Sequence, residues 1–244
     1  MKTKLLKGFV FGISFTVGII IGYFVLFAAL DWSSINTNVN TETPLTPTLW
    51  NNTMSGIISN VNKAENIGVV FTRWGKKTCP INATLVYEGI TAGSHNGHGG
   101  GGANALCLSK TPSWLDYNDG NQDGALIYGA EYEVSSGQIP SLTSLQNYEV
   151  PCAVCLDTRY SIQFMYPGQT TCPSSWNIEY AGYLMSKHYT QSKGEFICVD
   201  QNAEAIGSNA DNDGYLLYPT EYELGSLTSP YIQNREATCA ICTK

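Results

Sequence analysis

The sequence predicts a mainly β protein: two tandem homologous disulfide-linked β subdomains, preceded by one transmembrane helix. Three observations carry this expectation. They are an internal repeat of about ninety residues, eight cysteines that all lie beyond residue 78, and an uncharged run from Gly8 to Leu30. The organisation that follows is a cytoplasmic tail (1–7), a membrane helix (8–30), a stalk with a short neck (31–66), and two β repeats (67–156 and 157–244).

As a helix, residues 8–30 would span about 35 Å, enough for the roughly 30 Å hydrocarbon core. Lys2, Lys4 and Lys7 precede the run and Asp31 follows it. The positive-inside bias makes this a signal-anchor of a single-pass type II plasma-membrane protein, with the C-terminal domain extracellular. A cleaved signal peptide is the competing reading. The apolar run is long for that role, and Phe27-Ala28-Ala29 and Ala28-Ala29-Leu30 are poor cleavage sites.

The whole chain carries 13 Lys+Arg against 20 Asp+Glu, a formal −7. Without the three N-terminal lysines, 10 basic residues face 20 acidic ones outside the membrane, a net −10. This balance excludes a nucleic-acid partner, which requires a basic face. With only 14% charged residues, 24 glycines and 15 tyrosines, the profile suits an extracellular, turn-rich β protein.

Residues 31–66 are rich in Ser, Thr and Asn, with Pro44 and Pro47, and cannot bury enough apolar surface to fold alone. Asn51-Asn52-Thr53 and Asn82-Ala83-Thr84 are N-glycosylation sequons, so Asn51 and Asn82 are candidate glycan sites. Trp50, Met54, Ile57, Val61 and Ala64 recur at heptad spacing, a short seam interrupted by Gly56.

The repeat is direct. Phe71, Gly75, Thr78, Cys79 and Pro80 match Phe164, Gly168, Thr171, Cys172 and Pro173 at an offset of 93; Tyr87 and Gly89 match Tyr180 and Gly182. Cys107 matches Cys198, Asp123-Gly124 matches Asp213-Gly214, and Glu131-Tyr132-Glu133 matches Glu221-Tyr222-Glu223. Cys152 and Cys155 match Cys239 and Cys242. Each unit reads as β. From Leu126 to Val134 the even positions are apolar while Glu131 and Glu133 point the other way, a half-buried strand with a polar face. Leu216, Tyr218, Tyr222 and Leu224 stand likewise opposite Glu221 and Glu223, and Pro219 is confined to an edge or bulge. No long amphipathic helix is expected beyond residue 66.

Eight cysteines allow 105 pairings, and nine remain if each half closes on itself. Zinc and thioredoxin-like redox chemistry are the alternatives for the two C-x-x-C pairs. The pairs sit 87 residues apart in equivalent places, and each ends its unit instead of opening a helix. In an extracellular setting a disulfide framework is the expectation.

The order C-P, Tyr-x-Gly, Cys-Leu, Tyr-x-x-Glu-Tyr, C-x-x-C resembles the C-terminal non-collagenous domain of sponge short-chain collagens and similar invertebrate proteins. More distantly it is similar to the C-terminal domain of type IV collagen. The resemblance covers about residues 68–244, and its most specific part is Arg73 to Pro80 together with Tyr128 to Tyr132. The chain has no Gly-X-Y triplets and four cysteines per half where the type IV domain has six. It is therefore not a collagen and forms no triple helix, but displays a related domain from a membrane. The resemblance implies that the first cysteine of each half joins the last and the middle two join each other: Cys79–Cys155, Cys107–Cys152, Cys172–Cys242 and Cys198–Cys239. It also implies a homotrimer, with the Trp50–Ala64 seam as a substitute neck.

Other constellations are weaker. Asp119, Asp123, Asp211 and Asp213 begin loops like those that bind calcium, but the twelfth position is Ala130 or Thr220 where an EF-hand needs Glu. Asx-rich turns explain the same residues. Calcium is therefore kept only as a non-EF alternative, and no other cofactor is expected. His95-x-x-His98 lies in a glycine-rich loop that lacks the Lys-Ser/Thr of a phosphate loop. Copper or zinc there is weighed against a plain surface loop, which is favoured. No catalytic constellation is found, so no enzyme is expected. The expected function is non-enzymatic cell–matrix attachment or extracellular structural assembly. The alternative is a lectin-like cell-surface recognition module, calcium-dependent or not, with a matrix protein or glycan as partner.

Overall fold

The computed structural model describes residue 48 and residues 51–52, 54–58, 68–135, 137–207 and 213–244. The expected membrane segment 8–30 and its cytoplasmic tail lie outside these residues. Among the described residues no helix is long and apolar enough to cross a membrane. Residues 68–244 form one compact, mainly β unit.

The first half supplies β1 (Val69–Trp74), β2 (Thr84–Gly93), β3 (Leu106–Ser109), β4 (Tyr128–Tyr132) and β5 (Pro151–Asp157). The second supplies β6 (Gln163–Pro167), β7 (Asn177–Ser186), β8 (Ile197–Asp200), β9 (Tyr215–Pro219) and β10 (Thr238–Thr243). Both use one wiring. In the first half β5 lies between β1 and β2, and β3 and β4 pair β2, all antiparallel. In the second β10 lies between β6 and β7, and β8 and β9 pair β7 in the same sense. Phe71 faces Cys155 just as Phe164 faces Cys242, so the register is duplicated as well.

The halves are interlocked. β8 runs parallel to β1, with Trp74 opposite Val199, and β9 runs parallel to β4, with Ala130 to Tyr132 opposite Tyr215 to Leu217. The path β7-β8-β1-β5-β2-β4-β9 returns to β7 through Met185 and Ser186, a closed circuit of pairings. Among the described strands, β3 and β6 have one partner each and are edges.

The larger core lies between the halves: Ala130, Tyr132, Val134, Ile139, Leu142 and Val150 meet Met185, Ile197, Val199, Tyr215 and Leu217. This corrects the expected half-buried strand. Strand β4 begins at Tyr128, Leu126 is exposed, and the supposed polar face is covered, with Glu131 and Glu133 both buried. The even positions from Ala130 do face the core, together with Leu142 of the turn Pro140–Leu145, β9 pairs alongside, and Gln146 binds Glu133 on the other side. In the second half the deepest side chains are Tyr215 and Leu217, not the even positions, and Leu224 and Glu223 are exposed. Pro219 closes β9 at its last residue, as the missing N–H demands.

Candidate functional site

The four bridges are Cys79–Cys155, Cys107–Cys152, Cys172–Cys242 and Cys198–Cys239, the pairs that the resemblance implies. Their logic lies in the strand period. Three residues apart on one strand, Cys152 and Cys155 project to opposite faces, as do Cys239 and Cys242. Each C-x-x-C therefore reaches two different neighbours instead of itself. The Tyr-x-Gly motif serves the inner bridge. A Cβ at Gly89 would stand 2.5 Å from the Leu108 carbonyl oxygen and 2.7 Å from Cys107 Sγ. At Gly182 it would collide with the Val199 backbone.

The junction formed by β1 and β8 is the best-built polar site. Arg73 donates from Nε to Asp200 Oδ2 at 2.8 Å, and Asp200 is 2% exposed. Beyond β8 the chain continues onto the first half. Glu204 N donates to the Gly75 carbonyl (2.9 Å), and Ile206 N donates to that of Glu149 (3.1 Å). Tyr132, fully buried, donates its hydroxyl to the Glu204 carbonyl at 3.0 Å. Lys77 N donates to Glu204 Oε1 at 2.7 Å. Tyr180 sits beneath β1 with its hydroxyl within 3.0 Å of the carbonyl oxygens of Thr72 and Cys198. Burial pushes both tyrosine hydroxyls far above their ordinary pKa.

The repeat-equivalent of this junction would pair β6 with β3, and within one chain those strands do not pair. Tyr87, the counterpart of Tyr180, keeps the bond to the Cys107 carbonyl (2.9 Å) but is 37% exposed where Tyr180 is 5%. After β3 the counterpart of the docking segment 203–206 is the stretch 112–115, where Trp114 is 75% and Leu115 93% exposed. On the second half the receiving socket is already shaped. The Tyr222 hydroxyl stands at Gly168 as the Tyr132 hydroxyl stands at Gly75, 3.1 and 3.2 Å from the Cβ position. Gly168 N donates to the Thr238 carbonyl as Gly75 N does to that of Pro151. Tyr222 packs on Tyr231, ring centroids 5.0 Å apart, where the first half buries Tyr132. The charges of the closed junction are missing from the open one: Arg73, Lys77, Asp200 and Glu204 correspond to Tyr166, Thr170, Ser109 and Ser113. These departures from the repeat were the signal by which sequence could have marked Arg73 and Asp200.

The remaining candidates stand apart from this site. Asp119, Asp123 and Asp213 are exposed, Asp211 lies outside the described residues, and among those described no three His, Cys, Asp or Glu converge as metal ligands. His95 and His98 stack at 4.5 Å beside Tyr128, and His95 Nδ1 accepts the Gly97 N–H at 3.0 Å. Asn82 lies exposed in the turn before β2, and Asn51 is exposed within a helical stretch, so both sequons are accessible. Met54 and Ile57 are half-buried helical residues, while Trp50, Val61 and Ala64 fall outside the described residues. No protein-family model matches the chain.

Proposed function

We propose that this is a non-enzymatic, single-pass type II membrane protein whose extracellular head assembles with further copies of itself, in cell–matrix attachment or extracellular structural assembly. One observation carries the reading: a junction that is closed once inside the chain and left open, with apolar side chains, at its repeat-equivalent place. The open surfaces lie on different halves, and a head-to-tail contact between them closes into a ring, which three copies would complete. Three copies is the number that the collagen-domain resemblance implies, and cyclic symmetry would keep all anchors in one membrane. The cystine-stapled, interlocked head suits an extracellular structural role.

The test is sedimentation of the full chain in a non-ionic detergent, with Trp114→Asp/Leu115→Asp as the variant. The expected result is a trimer for the parent and a monomer for the variant, with an unchanged circular-dichroism spectrum because both residues are exposed, and with the parent's thermal unfolding alone depending on concentration. A parent that stays monomeric through the micromolar range would reject assembly. A variant that stays trimeric would reject these edges as its seat.

A further inference from the structure

A cavity of about 770 Å³ opens between the end of β4, the end of β9 and the β7–β8 connection. It is walled by one chain and does not depend on how copies assemble. Three carboxylates line it: Glu133, Glu221 and Glu223. Each is held by a single glutamine amide. Gln146 donates to Glu133 Oε2 at 2.6 Å, Gln138 donates to Glu221, and Gln233 donates to Glu223. No ion pair among the described residues reaches any of the three. Glu133 is the telling one. It is 8% exposed, yet its Oε1 has no hydrogen-bond partner. A buried carboxylate oxygen without a donor costs several kcal/mol in apolar surroundings, on the order of what a charged partner returns.

The cations already in the wall do not fill that role. Lys187 spends its three N–H bonds on Ser94 Oγ (2.7 Å), Ser192 Oγ (2.8 Å) and the His95 carbonyl (3.2 Å), and lies over the Tyr215 ring. Lys193 is exposed at the rim. The other walls are aromatic. His188 and Tyr218 meet at 5.0 Å, and Phe196 and Tyr189 present exposed rings. Burial and then the Glu133 charge push the Tyr218 hydroxyl upward.

We infer that this cavity binds an alkylammonium group, its N–H bonds to the Glu221 and Glu223 carboxylates, the buried Glu133 charge behind them and its chain against the aromatic rings. Ammonium-to-carboxylate hydrogen bonds are the strong class, and aromatic faces favour cations further. A bare metal ion fits less well, since no three ligating side chains converge among the described residues. The group can arrive on a free polyamine or on a lysine side chain of another protein.

Titration calorimetry of the full chain in a non-ionic detergent tests this with two probes: spermidine, and a capped peptide with one lysine between glycines. Binding of either supports the site, and the preferred probe names the source. Glu221→Gln should weaken binding tenfold or more, the loss of a charged hydrogen bond. Phe196→Ala, a half-exposed ring outside the core, should weaken it severalfold and guards against misfolding of the first variant. Glu88→Gln removes a carboxylate paired with Lys110 elsewhere and should change nothing. No binding of either probe at about 10 mM would overturn the inference. So would equal weakening by Glu88→Gln, which would mean diffuse attraction to an acidic head, or unchanged binding in both cavity variants.

Discussion

Tyr87 and Tyr180 occupy the same place in two copies of one unit and live in different surroundings. Both lie on the strand next to the C-x-x-C strand, two residues before the crowded glycine, and both reach the carbonyl of the inner cysteine. Only Tyr180 is roofed, because β1 of the first half lies over it and presents the Thr72 carbonyl. The equivalent roof for Tyr87 would be β6, which stays at the far edge of the sheet. The difference teaches that local structure was duplicated while environment was not. This chain closes one junction internally and leaves the reciprocal strands β3 and β6 unpaired with each other.

The largest expected effect separates the halves through their inner bridges. Removing Cys198–Cys239 or Cys107–Cys152 as alanine pairs should each cost about 4 kcal/mol in the chain-entropy model. The loops are similar, 41 and 45 residues apart, so that term should nearly cancel between the two variants. Cys198 and Cys239 belong to the core cluster with Phe71 and Tyr180, whereas Cys107 is only partly buried. Denaturant unfolding should therefore show the larger loss for the second half. Equal losses would mean that the closed junction adds nothing to that bridge.

Arg73→Ala comes next. It strands the buried Asp200 carboxylate, and such a loss costs about 3–5 kcal/mol in a fully buried pair. Arg73 is 16% exposed at its side chain, which sets the expectation near the lower figure. Tyr166→Ala, at the equivalent place on the open edge, should cost under about 1 kcal/mol in the monomeric Trp114→Asp/Leu115→Asp background. Comparable melting shifts for the two would erase the distinction between closed and open junctions.

Tyr180→Phe leaves buried carbonyls short of a donor and should cost about 1–3 kcal/mol. Tyr87→Phe should cost about 0.5 kcal/mol or less in the monomeric background, where water reaches the freed oxygen. If assembly roofs Tyr87 as proposed, the same substitution becomes more costly in the oligomer, which thermal unfolding at high and low concentration would reveal.

The smallest effect lies at the link between the halves. Burial works to raise the Asp157 carboxyl, but hydrogen bonds from the Arg159 guanidinium and backbone outweigh it and hold the group below its ordinary value. Thus Asp157 contributes stability that is fully present above its unfolded pKa of about 3.8 and is lost as pH falls through the lower folded value. Arg159→Ala should lower the melting temperature modestly at neutral pH, since the guanidinium is partly exposed, and the gap should narrow toward pH 3. A gap independent of pH would place the effect in packing.

How much was legible beforehand differs by feature. The strand around Tyr132 was visible from its alternation, and the core-facing positions Ala130, Tyr132 and Val134 are the ones expected. The burial of Glu131 and Glu133 was not, because the strand beside them, β9, comes from some 85 residues away along the chain and runs parallel. Parallel pairing between distant strands leaves no local pattern. The cavity around Glu133 was invisible for the same reason, since its walls come from both halves.

By itself, the amino-acid sequence determined the duplication, the β character of each unit, the equivalence of the two cysteine sets and the glycines that let the inner bridges close. All of these are local or repeat at constant offsets, so residue type and spacing suffice. Only the tertiary structure decided that β8 and β9 cross to the first half, that Arg73 meets Asp200, and that Tyr180 is covered while Tyr87 is not. Two units of one wiring offer two repeat-equivalent junctions, and this chain closes the one between β1 and β8. The junction that closes is the one where an arginine of one unit meets an aspartate of the other, a pair that forms only once distant strands lie side by side.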